Sequence, residues 1–422
     1  IETGGFATSY IPSDTRFGSR TSRARYHDKD GLLKVAPRNT ARYGYKYDGF
    51  KWVETGLILE ASTTNLITHS QDLANWNVTR TTLSSNVAAT TAPDGSNTAD
   101  KLEETAVSGE HAIIRHVAIP STGHATLSIY AKAAERNVFG IQMYNGSGGV
   151  DGNPLVYFNL TTGTVSEING GVKDATITYA GNDWWRISIT GNISTAGVTA
   201  SCWMYTSNTD GYVAHLGEVG KGVYLWGGQL EHSRGFPSSY IDTAGASESR
   251  SADVASSVAY TRAKDYAHMK VDDWYNTDEN GTVYLDVNAL QAFEDSIKTT
   301  FAGISDDTNL ETTNSKFVFH TSSTAGRLWL RSDSSQQNAD NNTGTRIRLA
   351  SSYDDDTVRT RYVDGSNTTK AFLDITAGNT SVSKYLVFGD QIATGYEGNF
   401  TIKQFVYYPE AFNADELTAL VE

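Results

Sequence analysis

The amino-acid sequence predicts an all-β protein of two tandem antiparallel β-sandwiches, with an extended and hairpin N-terminal region and a short C-terminal helix. The chain has 422 residues, which is more than one ordinary hydrophobic core accommodates. Its 38 Gly and 23 Tyr, against 3 Met, favour strands and turns over helices. Short segments of alternating polarity recur at near-regular spacing between turn residues, as expected for sandwiches.

The elements fall into four consecutive regions. Residues 1–60 read as short extended pieces and hairpins that pack on something larger, because their apolar content is thin for an independent core. Residues 61–245 hold the first strand series, which includes ATLSIYAKA, FGIQMYN, LVYFNL, WWRISITG, TASCWMYTS and VYLWGGQLE. Residues 246–275 are polar and rich in Ser and Ala, which predicts a connector. Residues 276–422 hold the second strand series and a short final helix.

The end of the chain carries a helix-start signal. Asn413 is a favourable N-cap, and Asp415 and Glu416 follow in the first turn, where the helix dipole favours acidic side chains. The sequence therefore predicts a short helix in NADELTALVE.

One phrase occurs twice. GFATSYI starts at Gly5 and GFPSSYI starts at Gly235, and each is followed by a polar gap and then Ser-Arg. The second copy directly follows VYLWGGQLE, the expected last strand of a domain. We therefore interpret the phrase as a ribbon by which the chain leaves a β domain, and we expect the first copy to end an upstream module.

Charge and composition exclude several classes of function. A formal net charge of −14 disfavours nucleic acid and anionic membranes as general partners. The single cysteine, Cys202, rules out an internal disulfide, and no Cys/His cluster has zinc spacing. No apolar run is long enough to insert in a membrane. No cofactor is expected, except that YDDDT and SDDT offer oxygen atoms for a structural Ca²⁺ without the spacing of an EF-hand loop.

Several phrases resemble a known protein family. GLILEASTTNLITHSQDLANWN is similar to a phrase in phage tail-fibre and minor virion structural proteins that leads into a carbohydrate-binding-module-like jelly roll, and the likeness continues through NDWWRISITG, YLWGGQLE and SSYIDTAGASESRSADVAS. VDDWYNTDENGTVYLDV resembles the beginning of a concanavalin-like (laminin-G-like) sandwich, and GNFTIKQFVYYPEAFNADELTAL resembles its end. Together these phrases cover most of residues 50–422.

The resemblance implies a function and a location as well as a fold. It implies a virion protein of a tail or other external appendage, assembled in the bacterial host cytoplasm, whose surface is directed at host glycans. The expected partners are a host cell-surface polysaccharide and other virion proteins. A homo-oligomer, most simply a trimer, is also implied, although the chain has no coiled-coil heptads or collagen-like repeats to impose threefold symmetry.

Alternation along the strands predicts a candidate binding face in the first sandwich. Side chains point alternately to the two faces of a strand, so placing Leu127, Ile129, Ile141, Met143 and Cys202 in the core puts their neighbours outside. The outward set is Tyr130, Gln142, Tyr144, Trp203 and Tyr205. Aromatic rings flanked by amides suit a sugar ring, which has apolar faces and polar edges. The same rings are equally compatible with packing against a neighbouring domain or subunit.

A second candidate face lies in the C-terminal region and depends on arginine. The outward residues of three predicted strands are Arg327, Trp329, Arg331, Arg346, Arg348, Arg359 and Arg361. Guanidinium groups bind carboxylates and sulfates through paired hydrogen bonds, so an acidic polysaccharide is a suitable ligand. The alternative is a solvated face whose arginines pair with acids such as those of 354–356.

The sequence favours binding over catalysis. The acidic pairs Glu103-Glu104, Asp272-Asp273 and Asp306-Asp307 look like loop or turn residues, and neighbouring strand residues face opposite ways. No Gly-x-Ser-x-Gly elbow or phosphate-binding Gly-Lys-Ser/Thr loop occurs, and no enzyme is predicted. The leading hypothesis is a host-glycan adhesin. The alternatives are a purely structural virion component whose faces are oligomer contacts and, ranked lower, a depolymerase with a site between subunits.

Overall fold

A computed structural model describes most of the first part of the chain and the strands of the second part. The described ranges are 23–37, 40, 42–60, 63–208, 214–232, 235–243, 260–262, 267–270, 281–289, 300–305, 315–321, 327–332, 335–341, 346–353, 357–363, 369–371, 375–376, 385–388, 399–408 and 411–422. From 260 onward, side chains are described for 281–288, 346–353, 357–363, 401–408 and 411–422. The first copy of the repeated phrase, and the YDDDT and SDDT acids that were considered for Ca²⁺, lie outside the described residues.

The first part of the chain is a series of strands with one 3₁₀ turn, Leu73–Asn75. The strands are β1 (Ala24–His27), β2 (Leu33–Ala36), β3 (Tyr43–Tyr47), β4 (Trp52–Glu60), β5 (Thr63–Asn65), β6 (Asn77–Thr79), β7 (Thr81–Ser84), β8 (Asp100–Glu104), β9 (Ser108–Ile119), β10 (Gly123–Ala133), β11 (Val138–Tyr144), β12 (Leu155–Asn159), β13 (Thr164–Asn169), β14 (Val172–Tyr179), β15 (Trp184–Ile193), β16 (Val198–Ser207), β17 (Ala214–Leu216) and β18 (Gly222–His232). The six strand segments predicted in the first series are all confirmed.

The second part adds further strands and the C-terminal helix. The strands are β19 (Tyr260–Arg262), β20 (Ala267–Lys270), β21 (Gly281–Ala289), β22 (Thr300–Ser305), β23 (Ser315–Thr321), β24 (Arg327–Ser332), β25 (Ser335–Asn341), β26 (Arg346–Tyr353), β27 (Thr357–Val363), β28 (Thr369–Ala371), β29 (Ile375–Thr376), β30 (Tyr385–Phe388) and β31 (Asn399–Tyr408). Helix α1 spans Ala414–Val421. Asn413 caps it by accepting hydrogen bonds from the backbone of Asp415 and Glu416, as predicted.

The strands form antiparallel sandwiches, which confirms the predicted fold class. Sheet I has the order β14-β15-β10-β18-β8-β7, and sheet II has the order β13-β12-β11-β16-β9-β17, with β6 also paired to β9. Sheet III has the order β20-β30-β22-β23-β24-β25, and sheet IV has the order β28-β27-β26-β21-β31-β4-β3, with β29 also paired to β27. Sheets I and II make the first sandwich, and sheets III and IV make up the second.

The core of the first sandwich is the one that alternation predicts. Leu127, Ile129 and Ala131 of sheet I are buried in one cluster with the core-facing side chains of sheet II. That cluster includes Phe139, Ile141, Met143, Cys202 and Met204. Burying these apolar side chains is the main favourable contribution to folding of this sandwich.

The N-terminal region is divided between the two sandwiches. Hairpin β1–β2 lies against the outer face of sheet I, where Leu33 joins a second buried cluster. Hairpin β3–β4 instead extends sheet IV, because β4 pairs with β31 over 57–60 and 399–402. Gly56 has φ +97° there, and a Cβ at that position would lie 2.0 Å from the carbonyl oxygen of Ile402. The GLILE phrase therefore needs glycine at the point where the two regions join.

The expected connector contains two strands. β19, at Tyr260–Arg262, pairs with β5, and β20, at Ala267–Lys270, pairs with β30 of sheet III. The second pairing places part of 246–275 in the second sandwich. The sequence-based boundary at 275 differs from the structure because a polar Ser- and Ala-rich composition conceals short edge strands.

A buried hydrogen-bond network joins the segments at the beginning and the end of the first sandwich. Asn65 donates to the carbonyls of Gly228 and Ile241 and accepts from the backbone N–H groups of Ile67 and Leu230. Its amide therefore ties the beginning of the sandwich to its last strand and to the exit ribbon, residues 235–243. Asn65, the asparagine of TNLI, thus stabilises the junction, because its buried amide has hydrogen-bond partners for both its donor and its acceptor atoms.

Acidic residues fix the same ribbon. Glu231 accepts from the backbone N–H and the hydroxyl of Ser238 at 2.8 and 2.6 Å. Glu60 accepts from the backbone N–H of Ser239 at 2.6 Å and from Arg42 at 2.7 Å, and both side chains of this ion pair are 1% exposed. Two carboxylates, one from each side of the junction, therefore hold Ser238 and Ser239 of the second copy of the phrase.

A buried carboxylate lies where the sequence predicts a turn. Glu104 ends strand β8 and is 1% exposed, so the interpretation of Glu103-Glu104 as loop residues is wrong. It accepts hydrogen bonds from Arg136, Thr206, His215 and the backbone of Glu218. The network joins the two sheets of the first sandwich, because Glu104 belongs to sheet I and Thr206 and His215 belong to sheet II.

Candidate functional site

The outward aromatic residues of sheet II lie together as predicted. In the register of β11 with β16, Gln142 is opposite Trp203, and Gly140 is opposite Tyr205. Strand β12 places Tyr157 on the other side of Gly140. We call the surface formed by Gln142, Tyr144, Tyr157, Trp203 and Tyr205 the outer aromatic face. It occupies the centre of sheet II, on the side away from the sandwich core.

The two rings of β16 are stacked on each other. Their centroids lie 5.6 Å apart, and their planes differ by 9°. Tyr205 is 3% exposed, whereas Trp203 is half-buried. Apolar contacts from Ala112, Ile114 and Leu155 support the pair. Tyr205 therefore acts as a buried support, and Trp203 is the ring of the pair that solvent reaches.

Hydrogen bonds fix the amide beside these rings. The hydroxyl of Tyr205 donates to Oε1 of Gln142 at 2.8 Å, and Nε2 of Gln142 donates to the carbonyl of Asn153 at 3.3 Å. The half-buried amide is therefore oriented before any ligand arrives, which lowers the entropic cost of binding.

Tyr144 extends the face towards solvent. It is 42% exposed and lies opposite Ser201, whose hydroxyl is 3.0 Å from Nδ1 of His116 on the next strand. The row His116, Ser201 and Tyr144 thus borders the stacked pair on one side. An exposed ring, a half-buried indole and hydroxyl and imidazole groups are available together at this end of the face.

The opposite border is acidic. Burial raises the pKa of Tyr157, and the negative charges of Glu167 and Glu110 raise it further. Burial and Glu110 act in the same way on the pKa of Tyr205. The phenols therefore stay protonated at neutral pH and can donate hydrogen bonds. The nearby carboxylates disfavour an anionic ligand on this face.

Two buried donors of the face have no partner within the described part of the chain. They are Nε1 of Trp203 and the hydroxyl of Tyr157. The room for the Tyr157 ring depends on Gly140, since a Cβ there would lie 2.8 Å from the ring. Strand alternation predicted the outward aromatic residues of β11 and β16. Nothing in the sequence identified Gly140 as the residue that leaves room for the Tyr157 ring.

The prediction that Tyr130 is an exposed site residue is wrong. Tyr130 does point away from the main core, but it is 1% exposed and packs edge-on against Trp226 and Tyr240. Trp184 is buried in the same cluster, and Trp185 packs against the main core, so both tryptophans of the WW pair are core residues. Hairpin β1–β2 and the exit ribbon cover this face of sheet I, and Tyr130 is not accessible to a large ligand.

The arginine face is only partly formed. Strand β24, which carries Arg327, Trp329 and Arg331, belongs to sheet III, whereas β26 and β27 belong to sheet IV. The predicted single face over three strands is therefore wrong. The side chains of β24 lie outside the described ones.

The remaining arginines share one face of sheet IV, as alternation predicts. Arg346, Arg348, Arg359 and Arg361 lie opposite to the buried Ile347, Leu349, Val358 and Tyr362.

Helix α1 packs on this same face, where Leu417 and Val421 contact Tyr284, Ala350 and Val363. Arg346 makes two hydrogen bonds to the buried Asp286, at 2.9 and 2.6 Å. Arg348 donates to the carbonyl of Glu422, and Arg361 donates to that of Thr360. These contacts fit the alternative of internally paired arginines, although the acids that the sequence suggested as partners, 354–356, lie outside the described residues.

The described residues contain neither a cluster of metal-ligand type nor a helix that could span a membrane. Within them, no group of three or more His, Cys, Asp or Glu side chains has the arrangement of a metal site. Helix α1 is too short to cross a membrane, and no other helix of the described ranges qualifies. His111 lies beside His215, with ring centroids 4.6 Å apart, as part of the Glu104 network.

Fold and site together define a tandem antiparallel β-sandwich protein with an aromatic surface on one sheet. No family model matches the chain. No curated protein matches it either.

Several solved structures match the chain at low TM-scores. The GH43 protein BlXynB from Bacillus licheniformis is 9% identical with a TM-score of 0.24, covering 94% of this chain and 99% of that chain. The CBM22-1-CBM22-2 tandem domain from Paenibacillus barcinonensis Xyn10C is 9% identical with a TM-score of 0.24, covering 84% and 99%. Domains LG4-5 of the mouse laminin alpha1 chain are 8% identical with a TM-score of 0.20, covering 71% and 90%. Scores this low do not support a transfer of function.

Proposed function

We propose that the protein binds glycans without catalysis, and that the outer aromatic face is its binding surface. The observation that supports this most directly is the half-buried Trp203 ring beside the exposed Tyr144, on a support fixed by Tyr205 and Gln142. Sugar rings present C–H groups to aromatic rings and hydroxyls to amides, and this surface offers both. Since Glu110 and Glu167 lie near its border, the glycan favoured here is neutral.

The finer proposal is that the chain is a host-surface adhesin of a phage virion appendage. It is supported by the sequence phrases from GLILE to the exit ribbon and by those of the second sandwich. The buried roles of Asn65, Glu60 and Glu231 give these phrases a structural reason, since they hold a sandwich to its neighbours in a modular chain.

The test is binding of the purified, fluorescently labelled chain to host cells and to a panel of neutral and acidic polysaccharides. Trp203→Ala and Tyr144→Ala are each expected to weaken binding to a neutral glycan by about tenfold, the loss typical of a central aromatic contact. Phe50→Ala is the matched control, because Phe50 is 92% exposed on the β3–β4 turn and far from the face in the strand order. Equal binding by all three variants and the wild type would overturn the proposal.

A fold check is available in the same strand. Cys202 neighbours Trp203 but points into the core and is 0% exposed, so its thiol is protected only while the first sandwich is closed. A variant that loses binding but keeps a protected thiol has lost a contact and not its fold.

A second candidate function is that of a structural virion component. An apolar patch supports it: Val107, Leu216 and Val219 are 49%, 67% and 76% exposed, and the backbone bond from Gly217 to Val107 brings their loops together. Such patches often mark subunit contacts. If the chain assembles through it, as a trimer or otherwise, Leu216→Ser with Val219→Ser will yield monomers by light scattering. An unchanged mass would reject this patch as an assembly contact.

The lower-ranked depolymerase hypothesis has a simple test. Incubating the protein, in the assembly state it adopts in solution, with the polysaccharide it binds should leave the reducing-end concentration and the ultraviolet absorbance of unsaturated sugars unchanged. A time-dependent rise in either would show cleavage and contradict the proposal of binding without catalysis.

A further inference from the structure

A cleft lined by both apolar and charged side chains lies on the opposite side of the first sandwich from the outer aromatic face. Its volume is about 730 Å³, within the range of ligand sites. Its walls come from hairpins β1–β2 and β3–β4, the edge of sheet I formed by β14 and β15, the exit ribbon, and residues of β21 and β31. The cleft therefore exists only where the N-terminal region bridges the two sandwiches.

Some charged groups of the cleft are already neutralised. Arg25 lies 3.1 Å from Asp94 and 3.5 Å from Asp242. Glu60 lies 2.7 Å from Arg42. These pairs hold the walls together and leave little charge for a ligand.

Two further cations of the cleft differ from Arg25 because they form no ion pair with a described carboxylate. Lys46 and Arg186 line the cleft, and neither has a carboxylate within ion-pair distance among the described residues. The one further carboxylate of the lining, Asp174, has no cationic partner there either. The described side chains that line the cleft comprise three cations, Arg25, Lys46 and Arg186, and two carboxylates, Glu60 and Asp174, so the lining has a small positive excess, although the whole chain carries a net charge of −14. The two acids that pair with Arg25, Asp94 and Asp242, lie outside the lining. A positive cleft in an acidic protein selects for an anionic ligand.

Arg186 is held in place for such a role. Its Nη1 donates to the carbonyl of Ser238 at 2.6 Å, its Nη2 donates to the hydroxyl of Ser128 at 3.2 Å, and the guanidinium lies 5.4 Å from the ring centre of Tyr130. Of the five N–H groups of a guanidinium, these bonds use two. The buried Nε has no partner among the described residues. A fixed guanidinium with donors to spare matches the geometry of a carboxylate.

The surroundings of Arg186 suit a sugar. Thr178 is opposite Arg186 in the register of β14 with β15, and Thr176 lies one pleat further along the same edge strand. Tyr26 and Tyr45 line the cleft from the two hairpins. Hydroxyls and phenol rings around one cation are groups that recognise sugar hydroxyls and ring faces.

We infer that this cleft is a second glycan site, which binds a carboxylated sugar residue with its carboxylate on Arg186 and with Lys46 at the rim. The inference rests on the proposed glycan-binding function but on a different surface. It assigns neutral and acidic sugars to separate sites. The exit ribbon takes part as well, because it supplies the Ser238 carbonyl that orients Arg186.

Calorimetric titration of the full chain tests this inference. The probes are hexagalacturonate, a hyaluronan hexasaccharide and trisialic acid, each compared with its methyl ester, which keeps the sugar and removes the charge. At least one free acid is expected to bind at least tenfold more tightly than its ester, with an affinity that falls as salt is added. If none of the three free acids binds more tightly than its ester, the inference is wrong.

Variants locate the binding. Lys46→Gln should weaken binding of the free acid several-fold, and Arg186→Lys should weaken it by tenfold or more, because lysine keeps the charge but loses the paired donors. Asp174→Asn should strengthen it by removing a repelling carboxylate. Lys51→Gln is the control, an exposed lysine of the same hairpin that does not line the cleft. Protection of the Cys202 thiol in each variant reports that the fold is intact.

The outcomes separate this inference from the proposed function. Acid binding that survives Lys46→Gln and Arg186→Lys but is lost in Trp203→Ala would overturn the cleft and leave the outer aromatic face as the site. Acid binding lost in the cleft variants, with neutral-glycan binding unchanged, supports two sites. Neutral-glycan binding unaffected by Trp203→Ala would instead reject the outer aromatic face and leave the cleft standing.

Discussion

Replacing Glu104 by glutamine is expected to open the first sandwich. The Glu104 carboxylate is fully buried and accepts five hydrogen bonds of 2.7 to 3.1 Å, two of them from Arg136. Glutamine keeps the shape but removes the charge and turns one acceptor into a donor. Arg136 then loses its buried partner, and the amide group meets other donors, so the cost comes from unpaired buried groups.

The size of the effect follows from the pKa. Burial alone would raise the pKa of Glu104, but hydrogen bonds from Arg136, the backbone of Glu218 and His215, with the charge of Arg136, outweigh it and lower the pKa from 4.5 to about 2. A tenfold change is worth about 1.4 kcal/mol, so the charged form contributes about 3 kcal/mol to stability at neutral pH. This contribution is complete above pH 4.5 and is lost as the pH falls towards 2, since the unfolded chain takes up the proton first.

The Cys202 thiol provides the assay. It is the single cysteine of the chain, and burial raises its pKa to about 12, so it reacts only when the first sandwich opens. With labelling limited by the open population, Glu104→Gln should accelerate modification at neutral pH by about 100-fold, which corresponds to about 3 kcal/mol. The same variant should lose the acid-dependent part of the stability between pH 4.5 and 2.

A neighbour on the same strand provides the control. The side chain of Glu103 is 23% exposed and lies 3.1 Å from Lys101, and surface pairs of this kind contribute about 0–1 kcal/mol. Glu103→Gln should therefore change the labelling rate by less than about fivefold. A Glu104→Gln rate within about threefold of the wild type would refute the reasoning that this network holds the two sheets together.

Three further predictions concern the junctions of the molecule. Burial, aided by the charge of Arg186, lowers the pKa of His27 from 6.5 to about 4, so stability should be complete above pH 6.5 and fall by up to about 3 kcal/mol towards pH 4, as seen in urea unfolding; His27→Gln should remove that slope. Gly56→Ala should destabilise the chain by more than about 1 kcal/mol in thermal unfolding, because its Cβ would meet the carbonyl of Ile402. Asn413→Ala should cost about 1 kcal/mol in the unfolding of the second sandwich, and Asn413→Asp should restore it.

Each of these predictions has a contradicting result. An equal slope of stability against pH in the wild type and His27→Gln would place the titrating group elsewhere. A Gly56→Ala protein as stable as the wild type would mean that β4 tolerates a side chain at the close approach. Equal stability of Asn413→Ala and the wild type would show that the cap does not limit the second sandwich.

Strand alternation predicted which face each side chain occupies but not what covers that face. The pattern CWMY placed Cys202 in the core and Trp203 outside, and the structure confirms both, because a half-buried strand has a strict period of two. The same argument placed Tyr130 outside, yet hairpin β1–β2 and the exit ribbon bury it. These segments lie about 100 residues before and after Tyr130 in the sequence, so the local pattern around Tyr130 cannot predict that they cover it.

Local sequence patterns also failed to predict which strands share a sheet and which charged residue is buried. The arginines of β24 and β26 have the same alternation, but the strands belong to different sheets, which depends on long-range pairing. Glu104 resembles a surface acid in sequence because Arg136 and His215, its partners, are distant along the chain. The cleft that contains Arg186 also depends on distant segments, because the N-terminal hairpins and both sandwiches supply its walls.

The most direct test of the central claim is fluorine NMR of the chain with 5-fluorotryptophan at its 8 tryptophan positions. Trp203→Phe identifies the resonance of the outer aromatic face. Titration with a neutral glycan that the chain binds is predicted to shift that resonance in a saturable way, while the resonances of the buried Trp184 and Trp226 stay in place. A saturable shift of other tryptophans with Trp203 unchanged would contradict the assignment of glycan binding to the outer aromatic face.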